Sequence, residues 1–328
     1  MSRSRSLLSI VLGLLTLLAA CGSPVAQGPA SAAGDATAFP VTITTAFGDV
    51  TIPAPPRRVV ALGWGDAETA VALGVEPVGA ADWLALRGDG LGPWMKQRYT
   101  TPPKILGNLE VELEQVAALN PDLILDTRSS GEQVRQDKLA QLGVPVVALP
   151  SPAAARYLTR WEDQLDMIGR ALGRSTQAAA LKTELDAKFA QAAAAHPGFR
   201  GASVVVGART STGWGAYVEG SSRINFMLRL GFVNSPAVQA LAAKNFSVPI
   251  SPERLDLYDA DLTIVFPIEV SPETITGDPL FQKVPSVAAG RVVVPDRSVA
   301  PALASATAPG LSYALDATVP LFAAALKR

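Results

Sequence analysis

The chain has 328 residues, a formal net charge of -1 and 48% hydrophobic residues. That balance fits a soluble globular protein and argues against a nucleic-acid binder, which would carry a basic stripe. With one cysteine and one histidine in the chain, neither a disulfide framework nor a His-rich metal site is available.

Arg3 and Arg5 precede an apolar stretch, Leu7 to Leu18, too short for a comfortable membrane span. Residues 1–20 therefore read as a targeting segment. Leu18-Ala19-Ala20-Cys21-Gly22 resembles the lipobox of bacterial lipoproteins, in which the cysteine is lipidated and the bond before it is cut. By that resemblance Cys21 is the lipidation site, and the protein sits at the outer face of the cytoplasmic membrane on a lipid anchor. Residues 21–38 are rich in Gly, Ser, Pro and Ala and form a flexible tether. Roughly 290 residues follow, enough for two lobes.

Residues 39–156 are expected to form an N-terminal α/β lobe. Val41–Thr44 and Asp49–Ile52 alternate around Gly48 as a hairpin. Arg58–Leu62 is a buried strand running into Gly63-Trp64-Gly65-Asp66, with Asp66 as N-cap of a helix that Gly74 ends. Val75–Ala80, Asp122–Asp126 and Val144–Leu149 are further strands, separated by helices around Leu109–Leu119 and before Gly143. Strands alternating with helices imply a parallel sheet.

Residues 157–196 carry Trp161, Leu165, Ile168, Leu172, Leu181, Leu185 and Phe189 at spacings of three and four, with proline on either side. A helix of this length spans roughly 50–60 Å and would tie two domains together. Gly173 interrupts the pattern, so two helices are the alternative.

The same grammar returns over residues 197–328, the C-terminal α/β lobe. Ser203–Val206 is a strand, followed by a Gly-rich loop from Gly207 to Gly220 and a helix from Ile224 to Leu230. Ser251-Pro252 starts another helix, Leu262–Phe266 and Arg291–Val294 are strands, and Leu311–Leu326 is a closing helix. The halves repeat: Leu73-Gly74 matches Leu230-Gly231, and Pro121-Asp122-Leu-Ile-Leu matches Ala260-Asp261-Leu-Thr-Ile. Two similar lobes with mostly parallel sheets, joined by one long connecting α-helix and enclosing a cleft, are the expected fold.

Several stretches in this order resemble the substrate-binding proteins of ABC importers for iron–siderophores, heme and cobalamin, most nearly the actinobacterial siderophore-binding lipoproteins. They are Thr51-Ile52-Pro53, Pro56 to Leu62, Gly65-Asp66-Ala67-Glu68, Leu119 to Ile124, Leu142-Gly143-Val144-Pro145-Val146 and Val284 to Val292. The resemblance implies a binding protein, not an enzyme, that acts as a monomer. It would take a ferric siderophore, with iron arriving only inside the chelate and no cofactor of its own, and pass it to ABC importer permease subunits.

In open parallel sheets ligands bind beyond the carboxyl ends of the strands. That rule selects Trp64, Trp83, Arg87, Trp94, Arg128, Trp214, Tyr217, Arg223 and Arg297. The arginines would supply donors to anionic oxygens and the aromatic faces would cover apolar parts of the chelator. Glu114 and Glu253 lie seven residues before Pro121 and Ala260, each in the first turn of a helix feeding a strand. The family resemblance gives such a glutamate in each lobe the task of docking the permease. A helix start also favours a carboxylate for purely local reasons.

Heme, with Tyr217 as axial ligand, and cobalamin are the rivals within the family. An exported hydrolase would have to use His196, and the chain has no Gly-x-Ser-x-Gly elbow, P-loop or dinucleotide fingerprint.

Overall fold

The computed structural model describes residues 38–82, 88–107, 111–242 and 245–327. Residues 1–37, including Cys21 and the targeting segment, therefore lie outside the described residues, as do Trp83 and Arg87.

The first lobe opens with the expected hairpin, β1 (Val41–Thr45) and β2 (Gly48–Ile52), paired antiparallel. There follow β3 (Val59–Ala61), α1 (Asp66–Ala72), β4 (Gly79–Ala81), β5 (Lys104–Leu106) and α2 (Leu113–Ala117). Then come β6 (Leu123–Asp126), α3 (Gln133–Ala140) and β7 (Val146–Ala148). The sheet runs β5-β4-β3-β6-β7, parallel throughout. Its strands are short continuous apolar runs because helices cover both faces.

The single helix expected over 157–196 is two: α4 (Trp161–Ala171) and α5 (Ser175–Ala195). Gly173 takes φ 63°, a left-handed conformation that ends α4. The elbow is tight, since a Cβ on Gly169 would stand 2.6 Å from that of Ala178. Arg156 and Tyr157 also have positive φ, so residues 157–160 are loop and not helix.

The second lobe comprises β8 (Ser203–Thr210), β9 (Gly213–Tyr217), α6 (Ser222–Arg229), β10 (Val233–Asn234), α7 (Pro236–Gln239) and β11 (Ser247–Ile250). After a 3-10 turn at Pro252–Tyr258 come β12 (Leu262–Pro267), α8 (Pro272–Thr276), α9 (Pro285–Ala288), β13 (Val292–Val293), α10 (Val299–Ser305) and α11 (Ala308–Ala325). Its sheet runs β11-β9-β8-β12-β13, with β10 beside the start of β8. The β8–β12, β12–β13 and β10–β8 pairs are parallel, whereas β9 is antiparallel to both neighbours. The loop expected between Gly207 and Gly220 is thus a β-hairpin that turns at Ser211-Thr212, with Gly213, at φ 152°, opening β9 opposite Thr210.

Physical causes for the repeat are visible in both lobes. Asp122, just before β6, accepts from the backbone N–H groups of Arg57 and Arg58 at 2.8 Å, fixing the start of β3 beside it. Asp261, just before β12, accepts from the Ser203 N–H at 2.8 Å and fixes the start of β8 in the same way. Gly74 and Gly231 close α1 and α6 with φ of 78° and 101°. In each case the next residue donates back five positions, Val75 to the Ala70 carbonyl and Phe232 to that of Met227.

One apolar cluster runs from Ile43, Val59 and Leu123 of the first lobe through Leu165, Ile168, Leu185 and Phe189 of α4 and α5. It continues to Val204, Phe226 and Phe266 of the second lobe. A second tie between the lobes lies at the α10–α11 junction. There Thr307 donates to Glu68 Oε2 at 2.7 Å and Ser305 O accepts from Arg128 Nη1 at 2.7 Å.

Candidate functional site

The ends of β3 and β6 are held by one carboxylate. Asp66 is fully buried and accepts from Gly63 N–H and Thr127 N–H, both at 3.0 Å, from Gln164 Nε2 at 2.7 Å, and from the Thr127 hydroxyl. It does not cap α1 as expected. Gly65, at φ 79°, holds the cap position, and Asp66 turns back under the loop. Burial pushes its carboxyl up to about 6, against the hydrogen bonds from Thr127 and Gln164 that pull it down. Glu68, two residues on, accepts from Gly92 N–H at 2.9 Å, Trp94 Nε1 at 3.2 Å and the Thr307 hydroxyl. Burial raises its carboxyl as well.

This framework sets Trp64 and Arg128 side by side, with Trp64 N–H donating to Arg128 O at 2.9 Å. The Trp64 ring stacks on Tyr157 at 4.0 Å. Arg128 is only 6% exposed, and its Nε donates to Tyr157 O at 2.9 Å. From the second lobe, the Arg223 guanidinium lies 4.4 Å from the Tyr217 ring centroid and 5.7 Å from that of Phe266. Its Nη2 donates to Ala300 O at 3.2 Å, and its buried Nε has no partner among the described residues. Burial lowers the Arg128 group to about 10, and the charge of Arg223 acts in the same direction. Between the lobes lies a cavity of about 500 Å³ walled by Arg128, Tyr157, Trp161, Ser222 and Asn225, among others.

Trp64, Arg128, Tyr217 and Arg223 are thus neighbours in one chain of contacts, of which Arg128 and Tyr157 line the cavity, although Tyr217 arrives on β9 and not on a loop. Tyr157 joins them unexpectedly. Its place as an aromatic just ahead of a helix is a weak signal, and its left-handed backbone is not readable from residue type.

Two expected ligand residues, Trp94 and Trp214, are elsewhere, and Arg297 is bound to a neighbouring loop. Trp94 is 7% exposed in a core cluster with Leu91 and Met95, its indole engaged by Glu68. It borders a separate groove of about 740 Å³ between α5, α11 and residues 94–97. Trp214 is a strand residue 6% exposed, stacked on Phe281 at 5.0 Å and set edgewise to Tyr258 at 5.7 Å. Alternation along β9 turns it into the second lobe's own core. Arg297, after β13, is exposed and donates to Val270 O at 2.9 Å. This bond pins the loops after β12 and β13 to each other. Glu114, in the first turn of α2, and Glu253, in the 3-10 turn before β12, are both exposed. Hydrogen bonds from its own backbone and from Ser251 hold the Glu253 carboxyl below the usual range.

Comparison with known proteins agrees with this architecture. A crystal structure of a periplasmic solute binding protein from Mycobacterium smegmatis superposes with a TM-score of 0.75 at 27% identity, covering 87% of this chain and 98% of that one. The Streptococcus pneumoniae protein PiaA, solved with ferrichrome, shares the fold at a TM-score of 0.72 and 23% identity, over 88% of this chain and 99% of that one. The probable siderophore-binding lipoprotein YfiY of Bacillus subtilis is 28% identical over 189 residues, 57% of this chain and 54% of that protein. The chain thus spans about half the length of the curated relatives it matches. The family model described as periplasmic binding protein matches residues 59–298, well over half of the sequence. The chain belongs to the periplasmic binding protein family.

Proposed function

We propose that this protein is the lipid-anchored, extracytoplasmic substrate-binding component of an ABC importer. It captures a ferric siderophore in the crevice between its lobes and delivers it to the permease. The observation that carries this reading is the pairing of stacked aromatics, Trp64 on Tyr157, with guanidiniums from both lobes, Arg128 and Arg223. Aromatic faces suit the apolar parts of a chelator and guanidiniums its coordinating oxygens. The name of the 28%-identical relative YfiY points to the same cargo. Heme through Tyr217 is less favoured, because that ring is 6% exposed and lies under the Arg223 guanidinium.

Trp83 and Arg87, which lie outside the described residues, and the exposed Arg297 complete the proposed ligand set. Cys21 carries the lipid, and Glu114 and Glu253 meet cationic residues of the permease, one from each lobe. Their support is exposure at the start of elements that precede β6 and β12, the equivalent strands of the two lobes.

Tryptophan fluorescence of the full-length chain in detergent tests the cargo. It would be titrated with ferric hydroxamates, ferric catecholates, ferric citrate, heme and cobalamin. Saturable quenching by a ferric chelate supports the reading, and none beyond the absorbance artefact would refute it. Anchoring is tested by Cys21→Ser, which should abolish palmitate labelling and membrane retention.

A further inference from the structure

Arg128 and Arg223 come from different lobes, and the charge of one acts on the other. Two guanidiniums in a partly dry crevice repel unless something negative lies near both. Two other half-buried arginines have such partners, Arg135 with Asp126 at 2.7 Å and Arg229 with Asp186 and Glu162, whereas Arg174 and Arg209 have none among the described residues. Neither Arg128 nor Arg223 is in an ion pair among the described residues. The carboxylate that acts on Arg128 is Asp66. Its oxygens are already taken by Gly63, Thr127 and Gln164.

Helix α10 offers partial compensation. Arg128 Nη1 donates to Ser305 O at its carboxyl end, and Arg223 Nη2 to Ala300 O. A helix end carries only about half an elementary charge, enough to offset part of one guanidinium and not two. These contacts also fix both side chains and leave Arg128 Nη2, Arg223 Nη1 and the buried Arg223 Nε without an acceptor among the described residues.

We propose that the ligand seats an anionic oxygen between Arg128 and Arg223, so that the cargo is an anionic ferric chelate, with catecholate or carboxylate oxygens, and not a neutral trihydroxamate. This rests on the crevice being the siderophore site. The preorganised arginines supply the missing half of a charge-assisted pair, and a neutral chelate would leave them facing one another uncompensated.

The test compares ferric tris-catecholate, ferric dicitrate and the neutral trihydroxamate ferrichrome on the full-length chain, by calorimetry at two salt concentrations. At least one anionic chelate should bind about 30-fold or more tighter than ferrichrome, and Arg223→Gln should remove about that factor while changing ferrichrome binding less than about threefold. Arg223→Lys, which keeps the charge, should recover part of the loss. Independently of any variant, raising the salt should weaken the anionic chelate and leave ferrichrome nearly unchanged. Ferrichrome binding as tightly as the anions, or equal losses for both in Arg223→Gln, would overturn the proposal and leave the siderophore reading standing. Binding of no chelate at all would overturn both.

Discussion

Asp66 sets two effects against each other, and their balance is measurable. Four hydrogen bonds favour its ionised form, and complete burial disfavours it. Burial prevails, moving the carboxyl from its usual 3.8 to about 6. A carboxyl raised on folding keeps its proton in the folded state where the unfolded chain has lost it. Stability therefore falls as pH rises from about 4 to about 6, and the loss persists at higher pH. At 1.36 kcal/mol per tenfold, the difference between 3.8 and about 6 corresponds to roughly 3 kcal/mol at pH 7. Asp66→Asn removes that ionisation. Gln164 Oε1, buried and without a partner, can accept from the new amide if the Gln164 side chain turns over. That turn gives up the bond from Gln164 Nε2 to Trp64 O, at a cost of about 1 kcal/mol. Urea unfolding of both proteins from pH 3.5 to 7 is the assay, and groups common to both cancel in the difference. The variant should gain about 2–3 kcal/mol relative to the natural protein across that range. A relative change below about 1 kcal/mol, or one of opposite sign, would show that the hydrogen bonds and not desolvation set this group.

Thr307 caps α11 by accepting from Gly310 N–H and also donates to Glu68 across the lobes. Thr307→Ala should therefore cost about 2–3 kcal/mol in urea unfolding, more than a cap alone. Trp214→Ala should lower stability by about 3–5 kcal/mol as a core truncation, with chelate affinity per folded molecule retained. Trp64→Ala should reverse that pattern, keeping most stability and losing most ligand-dependent fluorescence change. Gly173→Ala should cost about 1 kcal/mol because of its left-handed backbone. With the lobes tied both at the α4–α5 elbow and at Thr307 and Ser305, apo and bound crystal structures should differ by a lobe rotation below about 20°.

Residue order alone determined the α/β alternation, the repeat of the two lobes and most strand positions. These follow from contacts between near neighbours: apolar runs bounded by turns and the glycines that end α1 and α6. The elbow at Gly173 was signalled by residue type, although only the folded chain chose two helices over one. Tertiary structure decided which aromatic faces ligand and which fills a core, because that depends on partners far away in the chain. Trp94 looks free beside its glycines until Glu68, 26 residues earlier, takes its indole N–H. Trp214 reads as a loop residue until the turn at Ser211-Thr212 sends the segment back as a strand and sets its ring against Phe281. Asp66 has the local signature of a cap, yet its partners Thr127 and Gln164 lie 61 and 98 residues away, in elements that meet only after both β6 and α4 have packed. The same distance rule hides the crevice itself. Arg128 lies 177 residues from the helix end that orients it, and no pattern of neighbouring residues encodes a contact of that range.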